Sequence, residues 1–198
     1  MKSSDYGRFL RVLASHIAEE LQITKIAAQT GVAVQTANAW LAAAQAAGII
    51  YLLPAFTGIA GRQLVKKPKL FFTDTGFAAW LTRVQSAGDL AQFFNRRAFF
   101  ENFVVMEIRK SWVHNGRRAD FSFYRDSRNN CINLIIRDGQ TVHPVNIDLT
   151  ENPRRQQVKS FECLRESGFT VGAGALVCLT EKRWFLTDAA VAHAVHEI

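Results

Sequence analysis

Apolar positions over 5–20 recur at helical spacing, with Phe9, Val12, Leu13, Ile17 and Leu21 on one face. Ser3, Ser4 or Asp5 can cap this helix. A short helix is predicted over 25–30, with Thr24 as its cap. Gly31 then supplies the left-handed backbone that a tight helix–helix turn needs. A third helix is predicted over 34–47, stopping at Gly48, with Ala37, Trp40, Leu41 and Ala44 on its inner face. An apolar strand over 49–53 closes at Pro54. After a glycine-containing loop at 57–61, the stretches 63–66 and 70–72 read as a second strand or ribbon.

Thr73, Asp74 and Thr75 are placed to cap a helix over 73–81, and a short helix is predicted over 89–94. A long helix over 97–113 carries Phe100, Val104, Ile108 and Trp112 on one stripe. The period then changes to two: Phe121 and Phe123; Ile132, Leu134 and Ile136; Val142, Val145, Ile147 and Leu149. Asn129–Asn130 and Asp138–Gly139 are the turns between these runs. A helix over 153–167, strands over 174–179 and 183–186, and a closing helix over 188–197 complete the expectation.

Helix, helix, glycine turn, helix and hairpin is the order of a winged helix-turn-helix. The expected architecture is therefore α+β: a winged helix-turn-helix domain at 1–72, then an α/β domain at 73–198 with a central mixed sheet, entered through linker helices at 73–95.

Composition narrows the function classes. The chain has 198 residues, a formal net charge of +7 and three cysteines, Cys131, Cys163 and Cys178. The cysteines are widely spaced and form no CxxC, which points to reduced cytoplasmic thiols rather than a disulfide framework or a zinc site. No apolar run reaches membrane-spanning length, and the N-terminal apolar positions are broken by Asp5, Arg8, Arg11, Glu19 and Glu20. Neither GxxxxGK[ST] nor GxGxxG occurs, so no nucleotide is expected on this chain. "GAGAL" at 172–176 precedes a strand instead of opening a helix and fails as a phosphate loop. His16, His114, His143, His193 and His196 are scattered. The last two read as surface residues of the closing helix.

The helix-turn-helix pattern suggests DNA, but the charge pattern opposes it. No Lys or Arg lies between Lys25 and Arg62. The outward face of the third helix is Gln35, Ala39, Ala42, Ala43 and Ala46, which suits docking to a protein partner or a second copy. Base edges are left to Gln35, Thr36 and Asn38, and phosphates to the wing cations Arg62, Lys66, Lys67 and Lys69 and to Arg96 and Arg97.

"LVKKPKLFFTDTGFAAWL" (64–81), "FFENFVVMEIRK" (99–110) and "FSFYRDSRNNCINLIIRDGQTVHPVNIDLTENP" (121–153) resemble segments of a prokaryotic family, domain of unknown function 4143, found in the C-terminal regions of P-loop ATPases. "ITKIAAQTGVAVQTANAWLAAAQAAGIIYLLPAF" (23–56) is similar to the winged helix those proteins place before it. The resemblance implies a restriction-endonuclease-like second domain of the PD-(D/E)XK class. Such a domain holds one or two Mg²⁺ ions on strand carboxylates beside a lysine. At those positions this chain carries Asn133 for the Asp, Asn146 for the Glu and Asp148 for the Lys, and only the helix acid Glu101 stands in its usual place. A rearranged site of Glu101, Asp148 and Lys159 is the alternative. The expectation is a non-enzymatic regulatory or recognition module of an ATPase, with no cofactor and no bound metal. The competing classes are a DNA-binding regulator and a metal-dependent nuclease.

Overall fold

The computed structural model describes residues 5–58, 66–117, 120–128 and 130–198. The expected wing residue Arg62, most of the 63–66 stretch and Asn129 lie outside the described residues. Contacts divide the chain into two interrupted units: Met1–Leu52 with Lys67–Asn102, and Leu53–Lys66 with Phe103–Ile198. The segment 73–95, expected as a linker, thus belongs to the first unit.

In the first unit, helix α1 (Asp5–Ser15) buries Phe9, Leu10, Leu13 and Ala14. Helix α2 (Ile23–Thr30) ends at Gly31, whose φ of 77° is the left-handed conformation expected there. Helix α3 (Val34–Ala46) turns Ala37, Leu41 and Ala44 inward. Trp40 packs edge-on against Tyr6 and Phe9. Strands β1 (Ile50–Leu53) and β2 (Lys69–Phe72) form a two-stranded sheet, and Glu20 bridges to Lys69 on β2. Helix α4 (Thr75–Leu81) starts where Asp74 Oδ1 accepts the Phe77 N–H at 2.7 Å. Helix α5 (Ala87–Gln92) starts with a Ser86–Asp89 capping box. Helix α6 (Arg96–His114) closes the first unit with its opening turns and passes into the second.

The second unit is built on a seven-stranded mixed sheet. Strands β3 (Asp120–Arg125), β4 (Cys131–Asp138) and β5 (Thr141–Ile147) form the antiparallel meander that the alternating pattern predicts. Gly139, with φ 57°, makes the tight turn between the last two. The segment expected as a helix at 153–167 is a 3₁₀ helix, Arg155–Glu166, that crosses to the parallel strand β7 (Gly174–Cys178). A short strand, β6 (Thr170–Val171), also pairs with β5.

The C-terminus departs from expectation. In place of a closing helix over 188–197, strand β9 (Ala190–Ala194) lies parallel to β7, and only Val195–Glu197 makes a 3₁₀ turn. Ala190, Ala192 and Ala194 are buried while Val191 and His193 are half-buried. That is period two, written in a residue that favours helices when nothing else decides. His193 is therefore a strand residue. Strand β8 (Trp184–Thr187) pairs antiparallel with β9 and ends the sheet.

Candidate functional site

The register Leu134↔Val145 places Asn133 and Asn146 opposite one another on β4 and β5. At this point side chains take over from the backbone ladder. The Ile147 N–H donates to Asn133 Oδ1 at 3.1 Å, and the Asn133 N–H reaches Asn146 Oδ1 at 3.4 Å. Asn146 Nδ2 donates to the Gln157 carbonyl at 2.6 Å and to Ser160 Oγ at 3.1 Å, tying the sheet to the 3₁₀ helix. Both amide oxygens are thus engaged by main-chain N–H groups, and the amide nitrogen of Asn146 has two acceptors.

Asp148 follows on the same strand line. Its N–H donates to the Val177 carbonyl at 3.1 Å and its side chain is half-buried. Burial first, and the Asp148 charge as a lesser cause, push the buried Cys178 thiol upward, which keeps it protonated and unreactive.

Glu101 is committed elsewhere. Its carboxylate accepts Lys69 Nζ at 2.7 Å within the first unit, and both side chains are nearly buried. Lys69, expected among the wing cations, is therefore a buried structural partner, and its ammonium is not presented to a phosphate. The next residue, Asn102, accepts the Phe72 N–H at 2.7 Å and donates to the Phe72 carbonyl at 3.0 Å and to Thr75 Oγ1 at 2.9 Å. Asn102 so continues the edge of β2 as another strand would.

The Asn133–Asn146 pair lies in the second unit with Asp148, whereas Glu101 lies in the first. Among the described residues, no three His, Cys, Asp or Glu side chains come together in a group that could hold a metal ion. With the two amide oxygens taken up by N–H donors and Glu101 held by Lys69, the residues present do not fit the Mg²⁺ ions of the nuclease pattern.

The residues expected at a nucleic-acid surface are mixed in their placement. Gln35 and Asn38 are exposed on α3 and Thr36 is half-buried, beside exposed Ala39, Ala42, Ala43 and Ala46. Lys66, Lys67, Arg96 and Arg97 are exposed, and Arg96 donates to the Ala91 carbonyl at 2.8 Å. Sequence reasoning missed a groove of about 620 Å³ in the second unit, whose lining includes Arg155, Lys159, Glu162 and Arg165 of the 3₁₀ helix together with Pro144 and Asp188. Its signal was hidden because an α-helical period was assumed where the chain takes three residues per turn.

The class defined by these observations is a two-unit α+β protein whose mixed sheet carries a hydrogen-bonded amide pair on two neighbouring strands. A family model described as a domain of unknown function, DUF4143, matches residues 96–196, just over half of the chain, and the chain belongs to that family. A second model, domain of unknown function DUF8612, matches residues 2–88. The segment 64–81, read above as a hallmark of the first family, falls within this second match. No curated protein and no solved structure matches the chain. No helix among the described residues is long and apolar enough to cross a membrane.

Proposed function

We propose that the chain is a non-catalytic regulatory or recognition module of a P-loop ATPase, built from a winged helix and a degenerate restriction-endonuclease-like domain. The winged-helix reading is supported by the order α1, α2, α3, β1, β2 and by the Glu20–Lys69 bridge, which adds a third short segment beside β2. The nuclease-like reading is supported by α6, a three-strand antiparallel meander, a crossover helix and a parallel fourth strand in that order. The observation that carries the loss of catalysis is the hydrogen bonding of Asn133 and Asn146, which holds neutral amides where Mg²⁺ needs carboxylates.

The test is calorimetric titration of the full chain with Mg²⁺ and Mn²⁺, run beside a cleavage assay on duplex and single-stranded DNA. The expected result is neither saturable metal binding nor cleavage. Tight metal binding lost in Asp148→Ala would overturn the reading. The second reading, a DNA-binding regulator, is favoured by the exposure of Gln35, Asn38, Lys66, Lys67, Arg96 and Arg97. Fluorescence anisotropy with labelled duplex DNA over a salt series decides it. Affinity that falls steeply with salt, and is weakened in Lys67→Ala or Arg97→Ala, would favour DNA.

A further inference from the structure

Part of the second unit's surface is already covered by an extended piece of this chain. The segment 54–56 lies along the β3 edge: the Phe56 N–H donates to the Phe123 carbonyl at 2.7 Å, and the Phe123 N–H donates to the Pro54 carbonyl at 3.0 Å. The groove of about 620 Å³ beside the 3₁₀ helix is open by contrast, and neither Asn133, Asn146 nor Asp148 lines it. Gln156, Lys159, Glu162 and Arg165 line it, and all four are exposed. They stand three positions apart on a helix with three residues per turn, so they form one straight row with a repeat of about 6 Å. Runs of this helix beyond three or four residues are uncommon, and this one has 12 residues. The charges along the row read plus, minus, plus. Arg155 and Asp188 also line the groove and are exposed. Among the described residues, no hydrogen bond or ion pair engages the side chain of Arg155, Lys159, Glu162, Arg165 or Asp188.

The repeat and the signs of this row select a ligand. An extended peptide presents every second residue on one face, with a repeat of about 6.6–6.8 Å. That is within about 1 Å of the row's own step, so the two stay in register across three charged positions. A peptide with an acid, a base and an acid at alternate residues sets each charge against its opposite at Lys159, Glu162 and Arg165. The order reads the same from either end, so it suits both chain directions. A nucleic-acid strand or an all-acidic peptide is opposed by Glu162 and Asp188, which would meet like charges. Exposed ion pairs contribute little by themselves, and Pro144, Phe161 and Val171 add apolar lining for the residues between the charges. We propose that this groove docks an extended segment of a partner protein that carries acid–x–base–x–acid, with x a short apolar residue. The proposal rests on the recognition reading above and names its partner chemistry, but it does not rest on the loss of catalysis.

Fluorescence anisotropy of the full chain with labelled nonapeptides tests this, with circular dichroism confirming that each variant is folded. A peptide with the core Glu-Val-Lys-Val-Glu is expected to bind saturably. The same residues in the order Glu-Val-Glu-Val-Lys are expected to bind about fivefold more weakly or worse. Arg165→Glu alters an exposed side chain and is expected to weaken the first peptide by a similar factor. Glu162→Lys is expected to exchange the preference, so that this variant favours the core Glu-Val-Glu-Val-Glu. Absence of saturable binding overturns the proposal, as do equal affinities for the two orders or an unchanged preference in Glu162→Lys. A single-stranded oligonucleotide that displaces the peptide and binds more tightly would also overturn it, by assigning the groove to nucleic acid. Metal binding lost in Asp148→Ala bears on the catalytic question alone and leaves the peptide result standing, so the two failures are told apart.

Discussion

At position 146 an amide and a carboxylate have nearly the same shape, and the surrounding hydrogen bonds distinguish them. Asn146 Nδ2 serves the Gln157 carbonyl and Ser160 Oγ. Asn146→Asp turns that donor into an anion facing a carbonyl oxygen, and the loss is expected to be about 1–3 kcal/mol. Asn133→Asp keeps an oxygen that accepts from the Ile147 N–H, so it should cost less. Urea denaturation of the two variants checks the ranking. A second residue-scale prediction concerns Asp126, which is buried. Burial alone would raise its pKa, but hydrogen bonds from Asn130 Nδ2, Tyr124 Oη and the N–H groups of Asn130 and Arg128 outweigh it and bring the pKa down to about 2. Because the folded pKa is depressed, the stabilisation is complete above the unfolded value of about 4. It is lost as pH falls through the folded value. Asp126→Asn should be less stable than wild type at pH 7, with the difference shrinking toward pH 2 in denaturation curves taken across that window.

Among the elements, α6 and β2 are joined by a charge pair taken out of water. Removing one member strands the other, so Lys69→Met alone and Glu101→Leu alone are each expected to cost about 3–5 kcal/mol. The double replacement should recover much of this, and a double-mutant cycle by urea denaturation measures the coupling. This pair also shows the limit of reading function from sequence here. Lys69 follows Lys66 and Lys67, and nothing in that run says which cation turns inward. Burial does, through a partner 32 positions away. The helices with strong apolar faces, the Gly31 turn and the β3–β5 meander were legible because each carries its period in large side chains. Strand β9 was not, because its inward residues are all alanine and its partner β7 lies in a separate stretch of chain. Asn133 and Asn146 were found as positions through the family pattern. Their pairing with the 3₁₀ helix followed only from the fold.

For the whole molecule, a cut at 72/73 does not separate the units. It would leave Ala78, Leu81 and Phe99 without the core they share with α1–α3, and would strip the 54–56 cover from β3. The fragment 73–198 is expected to aggregate or to show an incomplete sheet. Its circular dichroism and gel-filtration profile, set beside those of the full chain, test this. The interleaving has a consequence for the order of synthesis. Residues 54–56 leave the ribosome well before β3, and the rest of the first unit is translated between them. That unit can close while holding the covering segment out as a loop, at a closure cost that grows only slowly with length. When β3 emerges, its cap has already been made, so this edge of the nascent sheet need never meet a neighbouring chain unguarded. The edge formed by β8 is made after β3–β7, and among the described residues no strand pairs with its outer side.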